Sequence, residues 1–265
     1  AFHPVHTEAI NMVVARTELL ATLFFILTLI FYFNNKYALC YVSFFLSLIS
    51  KEIAITLPVI LLFYELLFMK KIDKNRYFKL IGVIIAYFII RSVVLGGISS
   101  KDQAGILFTQ TFFERAFTVI KVLGVYLKLL IIPYPLSPDY SDYSLGKSLF
   151  QPEVLVSMIV IIALIYFAYR YRKEKTIITF SMIWFFVAIL PVSNIISIGA
   201  LIGERFMYLP SIALPLLFIG IYETENMKLK KPILILTAVL ICLFAMGTFF
   251  RNFEWKNNPA LWGAV

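Results

Sequence analysis

Apolar blocks recur along this chain from one end to the other, parted by short polar stretches. A helix that crosses a bilayer needs about 20 mostly apolar residues. The candidate spans are 19–33, 37–49, 53–68, 77–95, 116–133, 153–169, 176–192, 206–222 and 232–250. Several are short, as tilted or broken helices are. Segment 37–68 is too long for one span, and Lys51-Glu52 interrupts it. This predicts two short helices with a turn at that pair. The fold class that follows is all-α, a multi-pass transmembrane helical bundle.

Composition strengthens this reading. Of 265 residues, 61% are hydrophobic and 15% charged, and the mean hydropathy is +0.89. A soluble domain is about half apolar and has no way to hide so much apolar surface. The 17% aromatic content also suits a membrane, whose interfaces favour Tyr and Trp. The net charge of +9 does not indicate nucleic acid, because the basic residues fall in short clusters between apolar runs. Cys40 and Cys242 both lie in apolar runs and read as small core residues rather than a disulfide or metal site.

Three basic clusters predict orientation by the positive-inside rule. They are Lys70, Lys71, Lys74 and Arg76; Arg170, Arg172, Lys173 and Lys175; and Lys228, Lys230 and Lys231. Placing them in the cytosol puts the N-terminal motif, the Lys51-Glu52 turn, the loop 193–205 and the C-terminus on the opposite side. Between the first two clusters the number of crossings must be even, yet three apolar segments lie there. The segment expected not to cross is 116–133, whose Lys121 and Lys128 share a face and suit an interfacial helix with snorkelling lysines. The stretch 96–152 then stays outside the cytosol.

Ionisable residues at membrane depth are costly, and they mark candidate sites. The opening His3-Pro4-Val5-His6-Thr7-Glu8 suits a helix start, with Pro4 in the first turn and Glu8 near the positive end of the dipole. If 5–18 is helical, Asn11 and Glu18 share a face with Glu8 at its margin. This stretch reads either as a capped, wet helix start or as the polar wall of a site. In the second case His6 and Glu8 would bind sugar hydroxyls or a proton. His3, His6 and Glu8 are also the candidates for a divalent metal ion, the one cofactor the sequence suggests. Arg16 and Glu18 read as an interfacial pair that snorkels. Lys51-Glu52 reads as a two-residue loop in water or as a break lining a polar cavity. Arg91 either snorkels or meets a carboxylate or lipid phosphate. Gly203-Glu204-Arg205 is either a loop ion pair or a phosphate site. Pro210 and Pro215 follow it and are expected to kink the next helix. Pro133 to Ser144, with Asp139 and Tyr140, is a rigid, aromatic, acidic loop that reads either as a sugar-binding surface or as an ordinary turn of the same composition. No P-loop, GxSxG, HExxH or paired CxxC motif occurs.

The phrases HPVHTEAINMVVARTELLATLFF, SKEIAITLPVILLFYELL, IIPYPLSPDYS, GERFMYLPS and RNFEWKNNPALW occur in this order over nearly the whole chain. Together they resemble the transmembrane and tetratricopeptide-repeat O-mannosyltransferase family and its bacterial relatives. The resemblance implies a GT-C type glycosyltransferase fold. It also implies transfer of a sugar from a polyprenyl-phosphate donor to Ser or Thr hydroxyls of acceptor proteins on the non-cytosolic side. On that reading residues 1–250 form the transmembrane domain, and 251–265 a juxtamembrane linker to tetratricopeptide repeats. The family's acidic catalytic base lies in an external loop before HPVHTEA. The chain therefore reads as a fragment, with the base expected upstream of Ala1 and none named within it. Arg205, then Lys51, then Arg91 are the expected donor-phosphate ligands. His6, Glu8, Asp139, Tyr140 and Glu204 are expected at the sugar or acceptor. Partners would be a polyprenyl-phosphate-linked sugar, membrane lipid and acceptor proteins, with no nucleic acid. The Lys-, Asn- and Ile-rich composition favours a bacterial plasma membrane over endoplasmic reticulum. A transporter or lipid flippase, or a non-catalytic scaffold, is the alternative that the intramembrane charges leave open.

Overall fold

The computed structural model describes residues 2–95, 110–140, 143–195 and 200–262. Ala1, and with it the base expected upstream of Ala1, lies outside the described residues, as do parts of the stretch 96–152 and of the loop 193–205. The described residues form helices joined by turns and loops, with no strand among them, as expected for a backbone that must satisfy its own hydrogen bonds in lipid. The helices are α1 (Thr7–Asn11), α2 (Arg16–Phe33), α3 (Tyr37–Ser50), α4 (Leu57–Tyr64), α5 (Lys74–Leu95), α6 (Phe112–Ile131), α7 (Pro152–Tyr171), α8 (Thr176–Ile189), α9 (Ala213–Thr224), α10 (Met227–Glu254) and α11 (Asn258–Trp262). Among the described residues, Val13–Phe33, Glu52–Met69, Lys74–Val94, Pro152–Tyr171 and Met227–Glu254 are long and apolar enough to cross a bilayer. Tyr37–Ser50, Thr176–Val192 and Pro210–Thr224 are shorter apolar helices. This is an integral membrane bundle.

Lipid offers no hydrophobic drive between helices, so close packing depends on small residues and hydrogen bonds. Ala21 and Ser47 are buried where α2 meets α3, and the Ser47 hydroxyl donates to the Ala21 carbonyl at 2.7 Å. A Cβ on Gly220 would lie 2.8 Å from Ile178, which fixes how closely α9 meets α8. The core between them is aromatic: Phe25 stands edge-on to Trp184 at 5.8 Å, and the Trp184 indole donates to the Leu209 carbonyl at 3.0 Å.

The expected break falls at Lys51. Its backbone is extended, and a 3-10 turn over Glu52–Thr56 leads into α4. At the other end of the bundle, α4 runs into a π turn at Glu65–Met69, where Tyr32 donates to buried Glu65 and Arg76 lies over the Tyr37 ring at 4.7 Å. Phe68 packs on Phe180 at the start of α8, and Lys175 reaches Glu225 at 3.9 Å. Lys230 sits over Tyr222 at 5.0 Å. The three basic clusters thus gather at one end with the Asn34-Asn35-Lys36 turn, and the opening segment and the Lys51-Glu52 break lie at the opposite end.

Helix α6 starts at a capping box, with Thr111 and Glu114 exchanging hydrogen bonds. Glu114, Arg115, Lys121 and Lys128 are spread along its length, and it is not among the helices long and apolar enough to cross a bilayer. Its lysines correct the expectation. Lys121 does not snorkel; it is buried, donates to the Ser144 carbonyl at 3.0 Å and hydroxyl at 2.8 Å, and lies over the Tyr143 ring at 4.6 Å. Folding the 143–146 loop onto α6 is what removes it from solvent. Lys128 is exposed.

Three further local expectations change. Residues 5–18 are not one helix, because Met12 is extended and separates α1 from the turn before α2. Pro210 and Pro215 do not kink a helix; Pro210 opens a 3-10 turn and Pro215 falls in the first turn of α9, where no backbone donor is needed. Cys40 is buried, whereas Cys242 is exposed on α10. Helix α10 also runs past residue 250, through Arg251 to Glu254.

Candidate functional site

The end of the bundle opposite the basic clusters is built on the opening segment. His3 caps the first turn: its Nδ1 accepts from the Val5 amide at 3.3 Å. Its Nε2 therefore carries the proton, which it donates to the Leu130 carbonyl at 3.0 Å. His6 Nε2 lies 2.7 Å from the Ser211 hydroxyl, which itself donates to the Tyr208 carbonyl at 2.9 Å. The His6 proton is thus also on Nε2, and its buried Nδ1 makes no hydrogen bond. Burial lowers both rings from the usual 6.5, His3 to about 4 and His6 to about 3, so both are neutral at pH 7. Both His3 nitrogens and both Glu8 oxygens are engaged, which leaves His6 Nδ1 as a single donor atom, so the three residues do not fit a metal. Among the described residues no group of three His, Cys, Asp or Glu is placed to hold one.

Glu8 instead grips Arg205. One carboxylate oxygen accepts from the Arg205 guanidinium, and the other from the Arg205 backbone amide at 2.8 Å. The neighbouring Phe206 ring has two cations near it, with its centroid 4.8 Å from the Arg205 guanidinium and 6.0 Å from the Lys51 ammonium. Lys51 is paired in turn with Glu18 at 3.3 Å. Glu18 therefore does not pair with Arg16, which is exposed. The break after α3 brings Lys51 back over the start of α2, and that proximity decides the partner.

These pairs share a vertical order. The Glu8 and Glu18 side chains are 2% and 3% exposed, while Arg205 and Lys51 are 23% and 32% exposed. The acids lie beneath and the cations face out, so the surface offered to a ligand is cationic. Arg91 joins this end by pairing with Glu52 and donating to the Tyr87 hydroxyl at 2.7 Å. It has the expected carboxylate and does not merely snorkel. Glu52 and Arg91 head an otherwise apolar cavity of about 490 Å³, walled by Ile55, Val59, Phe88, Val187 and Leu190.

Glu204 and Arg205 do not pair with each other; their side chains diverge. Glu204 is wholly buried and ties down the aromatic loop, accepting from the Ser137 amide at 2.6 Å and the Tyr140 hydroxyl at 3.0 Å. Burial raises its carboxyl to about 8, against the opposing pull of Arg251 at 3.8 Å. With no exposed surface, Glu204 meets a substrate only through the residues it holds. Tyr140 is half-buried and Asp139 exposed on this loop. The fully buried Tyr126 hydroxyl accepts from the Gly203 amide at 3.2 Å and anchors the loop before Glu204.

Arg205, Lys51, His6, Glu8, Glu204 and Tyr140 thus belong to one connected polar layer, with Arg91 at its side. Its carboxylates Glu8, Glu18 and Glu204 each meet a cation or a loop donor. Sequence reasoning missed Arg251, Tyr126 and Ser211. The Arg251-Asn252-Phe253-Glu254 phrase was a signal for the first; the other two look like ordinary core residues in the sequence.

No family model matches the chain, and no solved structure matches it. Curated relatives do. The protein O-mannosyl-transferase F38B6.6 of Caenorhabditis elegans is 28% identical over 100% of this chain and 39% of its own length. Human protein O-mannosyl-transferase TMTC3 is 24% identical over 100% of the chain and 36% of its own length. Mouse protein O-mannosyl-transferase TMTC4 is 25% identical over 98% of the chain and 42% of its own length. The chain spans about two fifths of the length of these relatives. All three are animal proteins and lend no support to a bacterial origin. Along all or nearly all of its length the chain is thus similar to proteins named protein O-mannosyl-transferase, TMTC3 and TMTC4 among them.

Proposed function

We propose that this chain is the membrane part of a protein O-glycosyltransferase that takes its sugar from a polyprenyl-phosphate donor on the non-cytosolic side. The observation that carries this reading is the partly exposed cationic pair Arg205 and Lys51, both near the Phe206 ring and each backed by a buried carboxylate. The basic clusters at the far end support the side, since such clusters stay in the cytosol. The names of the relatives support the reaction class.

In this reaction an acceptor hydroxyl oxygen bonds to the anomeric carbon as the bond from that carbon to the phosphate oxygen breaks. The lipid phosphate leaves with the bonding electrons, and the hydroxyl proton passes to a base. The polyprenyl phosphate keeps its tail in the bilayer while Arg205 and Lys51 neutralise the negative charge that grows on the leaving oxygen. Their carboxylates fix their positions, so little reorganisation accompanies the charge. The apolar cavity headed by Arg91 and Glu52 suits the first isoprene units of the tail. The Tyr140 loop, held by Glu204, supplies an aromatic surface for the sugar or acceptor.

The test uses the intact protein in liposomes with a polyprenyl-phosphate mannose and an acceptor protein. Lys51→Gln is expected to lower transfer by about 100-fold, as loss of one charge-stabilising group does. The double variant Arg205→Gln with Glu8→Gln is expected to match or exceed that loss while remaining folded. Full activity in both variants would overturn the assignment, and transfer from a nucleotide sugar alone would overturn the donor class.

A further inference from the structure

A second cleft lies at the same end on a different face. It has a volume of about 530 Å³ and runs between helix α10, the 131–136 loop and Pro4. Helix α10 contributes Leu240, Leu243, Phe244, Gly247, Arg251 and Glu254, a stripe at spacings of three and four. Gly247 keeps the cleft's back wall thin, since a Cβ there would lie 3.0 Å from Pro4. From Leu240 to Arg251 the helix rises about 16 Å. That is roughly one leaflet's share of a hydrocarbon core about 30 Å thick. The central window of α10 buries none of its residues, so the cleft opens sideways into lipid.

The polar end of the cleft is a built pair. Arg251 is 5% exposed, and its Nε and Nη2 have no hydrogen-bond partner among the described residues. Its Nη1 donates to Glu254, one turn further out, whose side chain is 36% exposed. Glu204, 3.8 Å behind Arg251, is held largely neutral at pH 7 by its burial, so Glu254 is the carboxylate that faces out. A cation at the leaflet surface with an anion one step beyond it mirrors a zwitterionic headgroup, whose phosphate lies inside its ammonium. A purely anionic headgroup would meet Glu254 with like charge, and a quaternary amine has no N–H to give it.

We propose that this cleft binds a phosphatidylethanolamine of the outer leaflet, with its phosphate on Arg251, its ammonium on Glu254 and one acyl chain along the α10 stripe. The site is separate from the Arg205–Lys51 pair: the opening segment stands between them, lining the cleft with Pro4 and holding Arg205 with Glu8. The inference does not depend on the transferase reading.

The experiment titrates the full chain in detergent with phosphatidylethanolamine, phosphatidylglycerol or phosphatidylcholine and reads bound lipid by native mass spectrometry. Phosphatidylethanolamine is expected to bind the native protein best. Arg251→Gln should weaken it about tenfold, as loss of a charge-assisted phosphate contact does. Glu254→Gln should turn the preference towards phosphatidylglycerol. Leu243→Trp, an exposed position that leaves both charged groups in place, should abolish binding by filling the chain path even if Arg251→Gln fails to fold. Equal binding of the three lipids, an unchanged preference in Glu254→Gln, or displacement of phosphatidylethanolamine by polyprenyl phosphate would each overturn the proposal.

Discussion

Glu8 holds Arg205 by two handles, its guanidinium and its own backbone amide. A side chain gripped in this way is fixed in direction as well as charge, which is what an anion-binding cation requires. The grip also complicates the simplest mutation. Removing Arg205 leaves Glu8 charged, buried and half-satisfied, which is far costlier than removing both partners.

The first prediction separates those costs. Arg205→Ala should destabilise the protein by about 3 kcal/mol, the lower range for breaking a buried pair. Arg205→Gln combined with Glu8→Gln should recover most of that loss. Thermal unfolding in detergent measures both. If the single and double variants melt alike, the pair is not what stabilises this end.

A second prediction concerns pH. The fold prefers neutral His3 and His6, whose values fall from 6.5 to about 4 and about 3. Their contribution is complete above pH 6.5 and is lost as pH falls towards 3. Glu204 runs the other way: its value rises from 4.5 to about 8, so its contribution is complete below pH 4.5 and is lost as pH climbs to 8. His6→Gln should flatten the acidic limb of a stability-versus-pH curve, and Glu204→Gln the limb between pH 4.5 and 8. Unchanged limbs would show that these groups are not buried as described.

A third prediction tests the seat of α6. A Cβ on Gly124 would lie 2.5 Å from the Ser157 Cβ, too close for a rotamer change to relieve. Gly124→Ala should therefore destabilise by about 1–3 kcal/mol, the range for overpacking. Ser157→Gly should restore part of it. A fully tolerated Gly124→Ala would mean that α6 and α7 slide apart freely.

A fourth prediction addresses the loop that carries Glu204 and Arg205. Tyr126→Phe removes the acceptor of the Gly203 amide and leaves a buried donor unmet, at about 1–3 kcal/mol. Because Arg205 follows on the same loop, transfer activity should fall even where the protein remains folded. Activity equal to the native protein at a lowered melting temperature would confine Tyr126 to stability.

The layout of the bundle was legible from the sequence because lipid leaves few options. Apolar length marks spans, and the basic clusters mark one end; both follow from solvation and need no tertiary detail. The break at Lys51-Glu52 was legible for the same reason. The pairings were not. Glu18 was assigned to Arg16, its neighbour in sequence, yet it meets Lys51 from another helix. Lys121 looked like a surface lysine until the loop at Ser144 folded over it. Arg251 drew no notice as a partner of Glu204, since only packing brings the last helix against that loop. Charge partners chosen across helices depend on three-dimensional proximity, and no periodicity encodes that.

Helix α10 is fastened by α9 and by the opening segment, and it is bare along its middle. A beam supported in this way transmits the thickness of the surrounding bilayer as a change of slope. Its outer tip carries Arg251, and Arg251 touches the carboxylate that secures the Tyr140 loop. If the proposed transferase reading holds, shortening or lengthening the host lipid's chains is therefore expected to change the transfer rate.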